Sequence, residues 1–438
     1  MRFPSLVVSL LALSIASVQA QSPSSQQAQG ASRPRIVATA RAQAQQTPAP
    51  ATPQKPAPAT EKTEQQPAPD APAKVEPATQ TPIELAGIET PETESSKKPT
   101  HLTPQLIRTR IAEAERMFKS RPKPVGLLPS IEFVSLAILD RRSERIHQLT
   151  LPKETFLTKG AEATMSTSLG MIVNLRIVRA NGVNTAVTVF DGNGYALTPL
   201  LVEFPIEKRG VFRELAYYTS AHPALISPEL ARSGQLYVKT MLDFAAKRLR
   251  DKGVVISPQI LDVAERLCLV EHVDHERFRA ENRAALFQEV YSLFALNQND
   301  TYRYSVSSAG AGGMVQMIPW AYNLMRQRHP GAGLIPDFVT GMRTHTNALE
   351  AMLLYMNDTW NDLAANEEVQ YALNAKLATQ TELLAAGYNS NAARLPQYLR
   401  RGGASWRGLI PRETQMYLQI YKNFEAIIPI KQRSAKTA

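Results

Sequence analysis

The chain has 438 residues, of which 44% are hydrophobic, so it is long enough for two or three folded segments and is not one small domain. Its single cysteine, Cys268, excludes an intramolecular disulfide and any Cys-rich zinc module or CxxC redox site. The formal net charge of +10 favours an anionic partner without identifying it.

The N-terminal hundred residues predict an exported chain with a tether. Arg2 supplies a positive start, Leu6–Val18 an apolar run, and Val18-Gln19-Ala20 a small-residue cleavage pattern, so residues 1–20 have the layout of a secretory signal peptide. The apolar run is shorter than the ~20 residues of a spanning helix. We expect a periplasmic or extracellular protein of the cell envelope without a stable membrane span. Residues 21–100, rich in Pro, Ala and Gln and without periodicity, predict a disordered linker.

Residues 101–210 predict one helix and then a small β-rich module. Leu106–Lys119 carries apolar residues at helical spacing and stops before Arg121-Pro122. Runs of β-branched and aromatic residues, punctuated by Asn-Gly and Asp-Gly turns, predict strands at Phe133–Ile138, Val173–Val178, Thr185–Phe190 and Ala196–Phe204. The module shows no catalytic constellation, and docking of other envelope proteins is one use that its sequence leaves open.

Beyond Gly210 the pattern is helical almost to the end of the chain. Ser227 and Ser257 each precede a proline, which is the arrangement of a capping residue before the first helical turn. We expect a helical extension over residues 211–280 and a mainly α domain over residues 281–438. The predicted helices are Pro228–Arg250, Pro258–Arg279 and Ala284–Asn297.

Three separated segments of the helical region carry the patterns that suggest chemistry. The first is Tyr304–Pro319, which packs three glycines into the four positions 310–313 before an apolar run. Glycines in such a cluster permit tight turns and close approach of the backbone to a ligand. The second segment is Leu384–Tyr398, and the third is Pro411–Tyr417.

In this order and at these distances, the segments resemble the catalytic domain of the soluble-type lytic transglycosylases. The family run S-x-x-GA-x-G-x-x-Q-x-x-P matches Ser307, Gly310, Ala311, Gly313, Gln316 and Pro319. The family element A-x-YN matches Ala386, Tyr388 and Asn389. The family element P-x-ET-x-x-Y matches Pro411, Glu413, Thr414 and Tyr417. The resemblance covers residues 286–424 and implies a lysozyme-like α+β fold.

The resemblance also implies a reaction on peptidoglycan glycan strands, with no cofactor and no metal. The family splits the β-1,4 bond between N-acetylmuramic acid and N-acetylglucosamine without water, and it leaves a 1,6-anhydro sugar. One glutamate performs both proton transfers, whereas ordinary glycosidases use two carboxylates. The resemblance places Tyr388 in a hydrogen bond to the group in the acid position. The other substrate-binding candidates that it implies are Ser307, Gly310, Gln316 and Asn389.

The acid position departs from the family pattern. The family glutamate lies nine residues before the serine of S-x-x-GA, and that count reaches Gln298, a carboxamide that cannot deliver a proton. Two other carboxyl groups are candidate substitutes for the family acid. Asp300 lies two residues after Gln298, and Glu289 lies nine residues before it, in the predicted helix Ala284–Asn297. Three hypotheses remain open: a peptidoglycan-binding pseudoenzyme, a non-enzymatic envelope scaffold, and an enzyme that uses Asp300.

Three other patterns also fit ordinary roles. His272 and His275 lie three residues apart in a predicted helix, close enough to share a metal, but no third ligand is identifiable and we expect no metal site. The basic runs 247–250 and 326–328 lack interleaved aromatic residues, which favours an anionic wall polymer or a simple contribution to solubility over nucleic-acid binding. Cys268 lies in an apolar stretch and is expected to be an inert core residue.

Overall fold

The computed structural model describes residues 102–122, 129–219 and 222–434. The predicted signal peptide and linker lie outside these described residues. The described chain begins with a helix, continues as an antiparallel sheet and ends in a helical region. Within the described ranges, no helix combines the length and the apolar character that crossing a bilayer requires.

Seven strands form the antiparallel sheet that precedes the helical region. Their bounds are β1 Phe133–Asp140, β2 Arg145–Pro152, β3 Glu162–Ser166, β4 Ile172–Arg179, β5 Ala186–Asp191, β6 Ala196–Lys208 and β7 Val211–Tyr218. Their order is β2-β1-β6-β5-β4-β3, with β7 paired to β6. The four predicted strands are confirmed as β1, β4, β5 and β6, whereas β2, β3 and β7 were not predicted.

The expectation of helix directly after Gly210 is wrong, because β7 continues the sheet. Arg209 and Gly210 both have positive φ angles, of 56° and 74°, and join β6 to β7 as a tight hairpin turn. Antiparallel pairing with β6 holds Val211–Tyr218 in an extended conformation. The sheet also curls, since the backbone N–H of Ser168, just after β3, donates to the carbonyl of Gln148 on β2 at 2.9 Å.

The helical region follows the predicted caps but not every predicted boundary. Its helices, together with two helices that lie before it, are α1 Pro104–Lys119, α2 Lys153–Phe156, α3 Pro228–Asp251, α4 Pro258–Val270, α5 His275–Ala280, α6 Arg283–Asn297, α7 Pro319–Arg328, α8 Phe338–Arg343, α9 His345–Ala364, α10 Glu367–Asn374, α11 Gln380–Asn389, α12 Leu395–Gly402 and α13 Arg412–Ile427. The hydroxyls of Ser227 and Ser257 accept hydrogen bonds from the first turns of α3 and α4, as predicted.

The prediction of a single helix over Pro258–Arg279 is wrong, because α4 ends at Val270 and a separate helix, α5, begins at His275. Asp274 accepts a hydrogen bond from the backbone N–H of Arg277 and so caps a new helix. The break leaves Glu271 at the end of α4, immediately after the buried residue Val270.

Helix α1 connects the sheet to the helical region. Its buried residues Ile107, Ile111 and Phe118 pack in one apolar cluster with residues of both regions. The cluster includes Ala137, Leu139, Leu200 and Leu201 from the sheet, and Leu225, Leu230 and Ala295 from the helical region. An ion-pair network adds to this contact, because Glu289 on α6 pairs with Arg179 on β4 at 3.3 Å and with Arg277 on α5 at 2.7 Å.

Candidate functional site

The first motif segment is a tight double turn held by its own backbone. Isolated bridges pair Val306 with Gly312 and Gly312 with Met317. Gly313 has a φ of +68°, and a Cβ atom added there would lie 2.2 Å from the carbonyl oxygen of Met342. A side chain is therefore excluded on both conformational and steric grounds, which explains this glycine of the motif.

All three motif segments supply side chains to one narrow cleft. The contributing residues are Ser307, Ala311, Gln316, Asn389, Glu413 and Tyr417. The hydroxyl of Thr414 donates to Asn389 Oδ1 at 2.9 Å and thereby joins the second segment to the third. The enclosed space is about 20 Å³, which accommodates about one water molecule.

The cleft also contains a carboxyl group that the sequence analysis did not assign to it. Glu271 lines the cleft at the end of α4, and Tyr417 Oη donates to its Oε1 atom at 2.9 Å. The count of nine residues assumed that the acid-bearing helix directly precedes the glycine-rich segment. Here α5 and α6 lie between them. The sequence feature that could have indicated Glu271 is the apolar run 267–270, which this glutamate follows directly.

Gln298 and Asp300 are not among the residues that line this cleft. Gln298 caps the end of α6 with a φ of 45°, and its backbone N–H donates to the carbonyl of Phe294. Asp300 pairs with Arg303 at 3.7 Å, and burial raises the pKa of its carboxyl group. Repulsion from Glu115 on α1 and Glu214 on β7 raises that pKa further, so Asp300 lies towards the sheet side of the helical region.

Glu289, the other candidate substitute acid, belongs to the ion-pair network beside the sheet. It is largely buried, and burial alone would raise its pKa. The hydrogen bonds from Arg277 and the charge of Arg179 outweigh that effect and hold the pKa of Glu289 below its usual value. A carboxylate stabilised in this way is a poor proton donor at neutral pH.

Tyr388, Gly310 and Gln316 shape the cleft through the backbone. Tyr388 is buried, and its hydroxyl donates to the carbonyl of Val315 at 2.7 Å, which ties α11 to the first segment. Gln316 Nε2 donates to the carbonyl of Gly313 at 2.8 Å. Gly310 has a φ of +78° and lies beside Pro319.

The two histidines after α4 have different surroundings. His272 stacks on Tyr302 with ring centroids 3.4 Å apart, and its Nε2 atom donates to the carbonyl of Met314. Burial lowers the pKa of His272 to about 3. His275 lines the cleft, and burial lowers its pKa as well, so its ring is neutral at pH 7. In the described ranges no three His, Cys, Asp or Glu residues are grouped as metal ligands.

The geometry allows proton transfer to a ligand in the cleft. A carboxyl group in a cleft acts as a general acid when it is protonated, and Glu271 lies in this cleft with its orientation fixed by the Tyr417 hydroxyl. The chain matches no protein-family model, no curated protein and no solved structure.

Proposed function

We propose that the helical region is a lysozyme-like domain of an exported envelope protein that cleaves peptidoglycan glycan strands by the lytic transglycosylase reaction. One observation carries the proposal: the three motif segments line one cleft that contains Glu271. The lining residues of these segments extend from Ser307 to Tyr417, more than a hundred residues along the chain. We assign the acid role to Glu271 in place of Gln298 and Asp300. The reaction needs no cofactor.

In this mechanism one side chain performs both proton transfers. Glu271 protonates the glycosidic oxygen as the bond from that oxygen to the anomeric carbon breaks. The resulting carboxylate then accepts the proton of the muramyl 6-hydroxyl as that oxygen bonds to the anomeric carbon. Tyr417 orients the carboxyl group through its hydrogen bond. Ser307, Gln316 and Asn389 line the cleft. In the proposed mechanism these three side chains contact the sugar.

Digestion of purified peptidoglycan, with the released muropeptides identified by mass spectrometry, tests the assignment. We expect the native chain to release 1,6-anhydro products and Glu271→Gln to lose about 10²–10⁴-fold in rate, since a general acid contributes that much. Gln298→Glu is the matched variant and should bring no gain, and Asp300→Asn should bring no loss. Undiminished activity of Glu271→Gln, or activity confined to Gln298→Glu, would refute the assignment.

The narrowness of the cleft favours a second candidate, a non-enzymatic envelope scaffold or peptidoglycan-binding pseudoenzyme. A space of about 20 Å³ is far below the ~300–1,000 Å³ of ligand pockets, so a sugar enters only if the walls separate. Peptidoglycan that co-sediments with the native chain but yields no anhydro product, even with Gln298→Glu, would support the pseudoenzyme, whereas the absence of both binding and product would support the scaffold.

A further inference from the structure

The sheet carries a second and much larger concavity, which is separate from the cleft. It lies on β3, β4 and β5 and encloses about 650 Å³, within the ~300–1,000 Å³ range of ligand pockets. None of its lining residues belongs to the three motif segments. We call this concavity the strand groove.

Strand register arranges the side chains of the strand groove in two rows. Alternate residues of a strand share a face, and directly paired residues on neighbouring strands lie side by side. The two rows contain Thr164, Asn174 and Phe190, and Glu162, Arg176 and Thr188. The Thr164 hydroxyl donates to Asn174 Oδ1 at 2.7 Å, and Arg176 pairs with Glu162 at 3.5 Å.

The charges of the strand groove argue against a polyanion as its ligand. Its cations are Lys159 and Arg176, and Arg176 already faces Glu162. The groove therefore carries one net positive charge, although the whole chain carries +10. Nucleic acids and other polyanions are held by several unopposed cations, which this groove does not offer.

The apolar content of the strand groove argues against a protein partner. Protein interfaces centre on clusters of aromatic and aliphatic anchors and are depleted of charged residues at the core. The strand groove presents one aromatic ring, that of Phe190, which is 42% exposed. Val178 is its other strongly exposed apolar side chain, and an ion pair and a hydroxyl–amide pair occupy the neighbouring positions, so charged and hydrogen-bonding groups lie where a protein interface has its apolar core.

We propose that the strand groove binds an uncharged saccharide chain. A pyranose ring has one face of C–H groups, which packs on an aromatic face, and a rim of hydroxyl and acetamido groups that both donate and accept hydrogen bonds. Phe190 supplies the aromatic face, and Asn174, Thr188 and Arg176 supply the polar partners. Identification of the chain as the glycan of peptidoglycan, bound through its uncharged N-acetylglucosamine units, rests on the proposed function, whereas the preference for a saccharide rests on the groove alone.

A saccharide site on the sheet would give the molecule two attachments to one polymer. Two sites in one chain bind a long strand with an avidity that exceeds either single affinity, because the second contact is intramolecular. The groove would therefore retain the protein on the glycan between successive reactions at the cleft.

Binding is best measured with the full chain carrying Glu271→Gln, so that the proposed turnover does not consume the ligand. The probes are purified peptidoglycan sacculi in sedimentation and tetra-N-acetylchitotetraose in calorimetry. Phe190→Ala and Asn174→Ala remove groove side chains. Phe133→Ala removes a similarly exposed ring on β1, outside the groove, and is the matched control.

We expect Phe190→Ala to weaken binding of chitotetraose about tenfold, which corresponds to about 1.4 kcal/mol, because the sugar loses its aromatic contact. Asn174→Ala should also weaken binding, and Phe133→Ala should not. Equal affinity of Phe190→Ala and Phe133→Ala, or no binding of chitotetraose by the parent, would overturn the proposal. Failure of the proposed function is a separate result: the native chain then releases no anhydro product while the dependence on Phe190 persists.

Discussion

His345 is a buried histidine whose two ring nitrogens both have partners. It is 3% exposed at the start of α9, and its Nε2 atom donates to the carbonyl of Thr301 at 2.8 Å. Its Nδ1 atom lies 2.9 Å from Tyr237 Oη, whose single proton is shared between this nitrogen and Asn299 Oδ1. Burial lowers the pKa of His345 to about 4, because the charged imidazolium would lose its hydration.

We expect mild acid to destabilise the protein through this residue. The unfolded chain has a histidine pKa near 6.5, so between that value and about 4 the unfolded state binds more protons than the folded state. The free energy of unfolding therefore falls as the pH falls through this window. His272, with a pKa of about 3, contributes in the same direction.

Urea denaturation of the native chain and of His345→Gln, at about pH 7.5 and about pH 5, measures this contribution. The variant loses the hydrogen bonds and should be less stable at the higher pH, but it should lose less stability between the two values. Parallel losses in the two proteins would show that His345 does not contribute to the pH dependence.

Helices α3 and α6 approach each other closely at Gly234. A Cβ atom added at Gly234 would lie 1.8 Å from the carbonyl oxygen of Tyr291 on α6. Two effects oppose each other at this position. Helix propensity favours alanine over glycine by about 1 kcal/mol, whereas a contact of that length forces the helices apart. The clashing atoms belong to the backbone of α6, which cannot move aside as a flexible side chain can. We therefore expect the steric cost to outweigh the gain in helix propensity.

Gly234→Ala should therefore lower the free energy of unfolding by at least about 1–3 kcal/mol. Gly192→Ala is a suitable control, because no atom lies within 4 Å of a Cβ atom added there. Thermal and urea unfolding followed by circular dichroism give both values. A Gly234→Ala protein as stable as the native chain would contradict the observed helix crossing.

The sheet and the helical region share buried surface through α1. Phe118 is 2% exposed in the apolar cluster that contains residues of both regions. Its ring also lies 4.7 Å from the guanidinium carbon of Arg121. Since neither region alone buries this helix, we infer that the two unfold together.

Phe118→Ala should cost about 3–5 kcal/mol and should lower the stability of both regions equally. All three tryptophans, Trp320, Trp360 and Trp406, lie in the helical region, so their fluorescence reports on that region alone. Hydrogen exchange of the strand amides reports on the sheet. Arg108→Ala, at an exposed position of α1, is the control. A loss of stability confined to one region would contradict joint unfolding.

Local features of this chain could be predicted from its sequence. The period of apolar residues gave α1, α3 and α6, and β-branched runs gave β1, β4, β5 and β6. Serine before proline gave the caps of α3 and α4. These features depend on a few neighbouring residues, whose periodicity and capping groups act within one turn or one hairpin.

The tertiary structure alone decided which carboxyl group joins the motif residues. The order of the segments suggested a shared cleft, and the expected spacing pointed to Gln298. The cleft instead contains Glu271, which follows the last residue of α4 and is separated from the first segment by α5 and α6. The same is true of β7 and of the rows in the strand groove, because pairing register is set by partner strands distant in the chain. Packing between distant parts of the chain places a side chain in a site. Residue spacing predicts that position only where no further helix or strand lies between the residues that are counted.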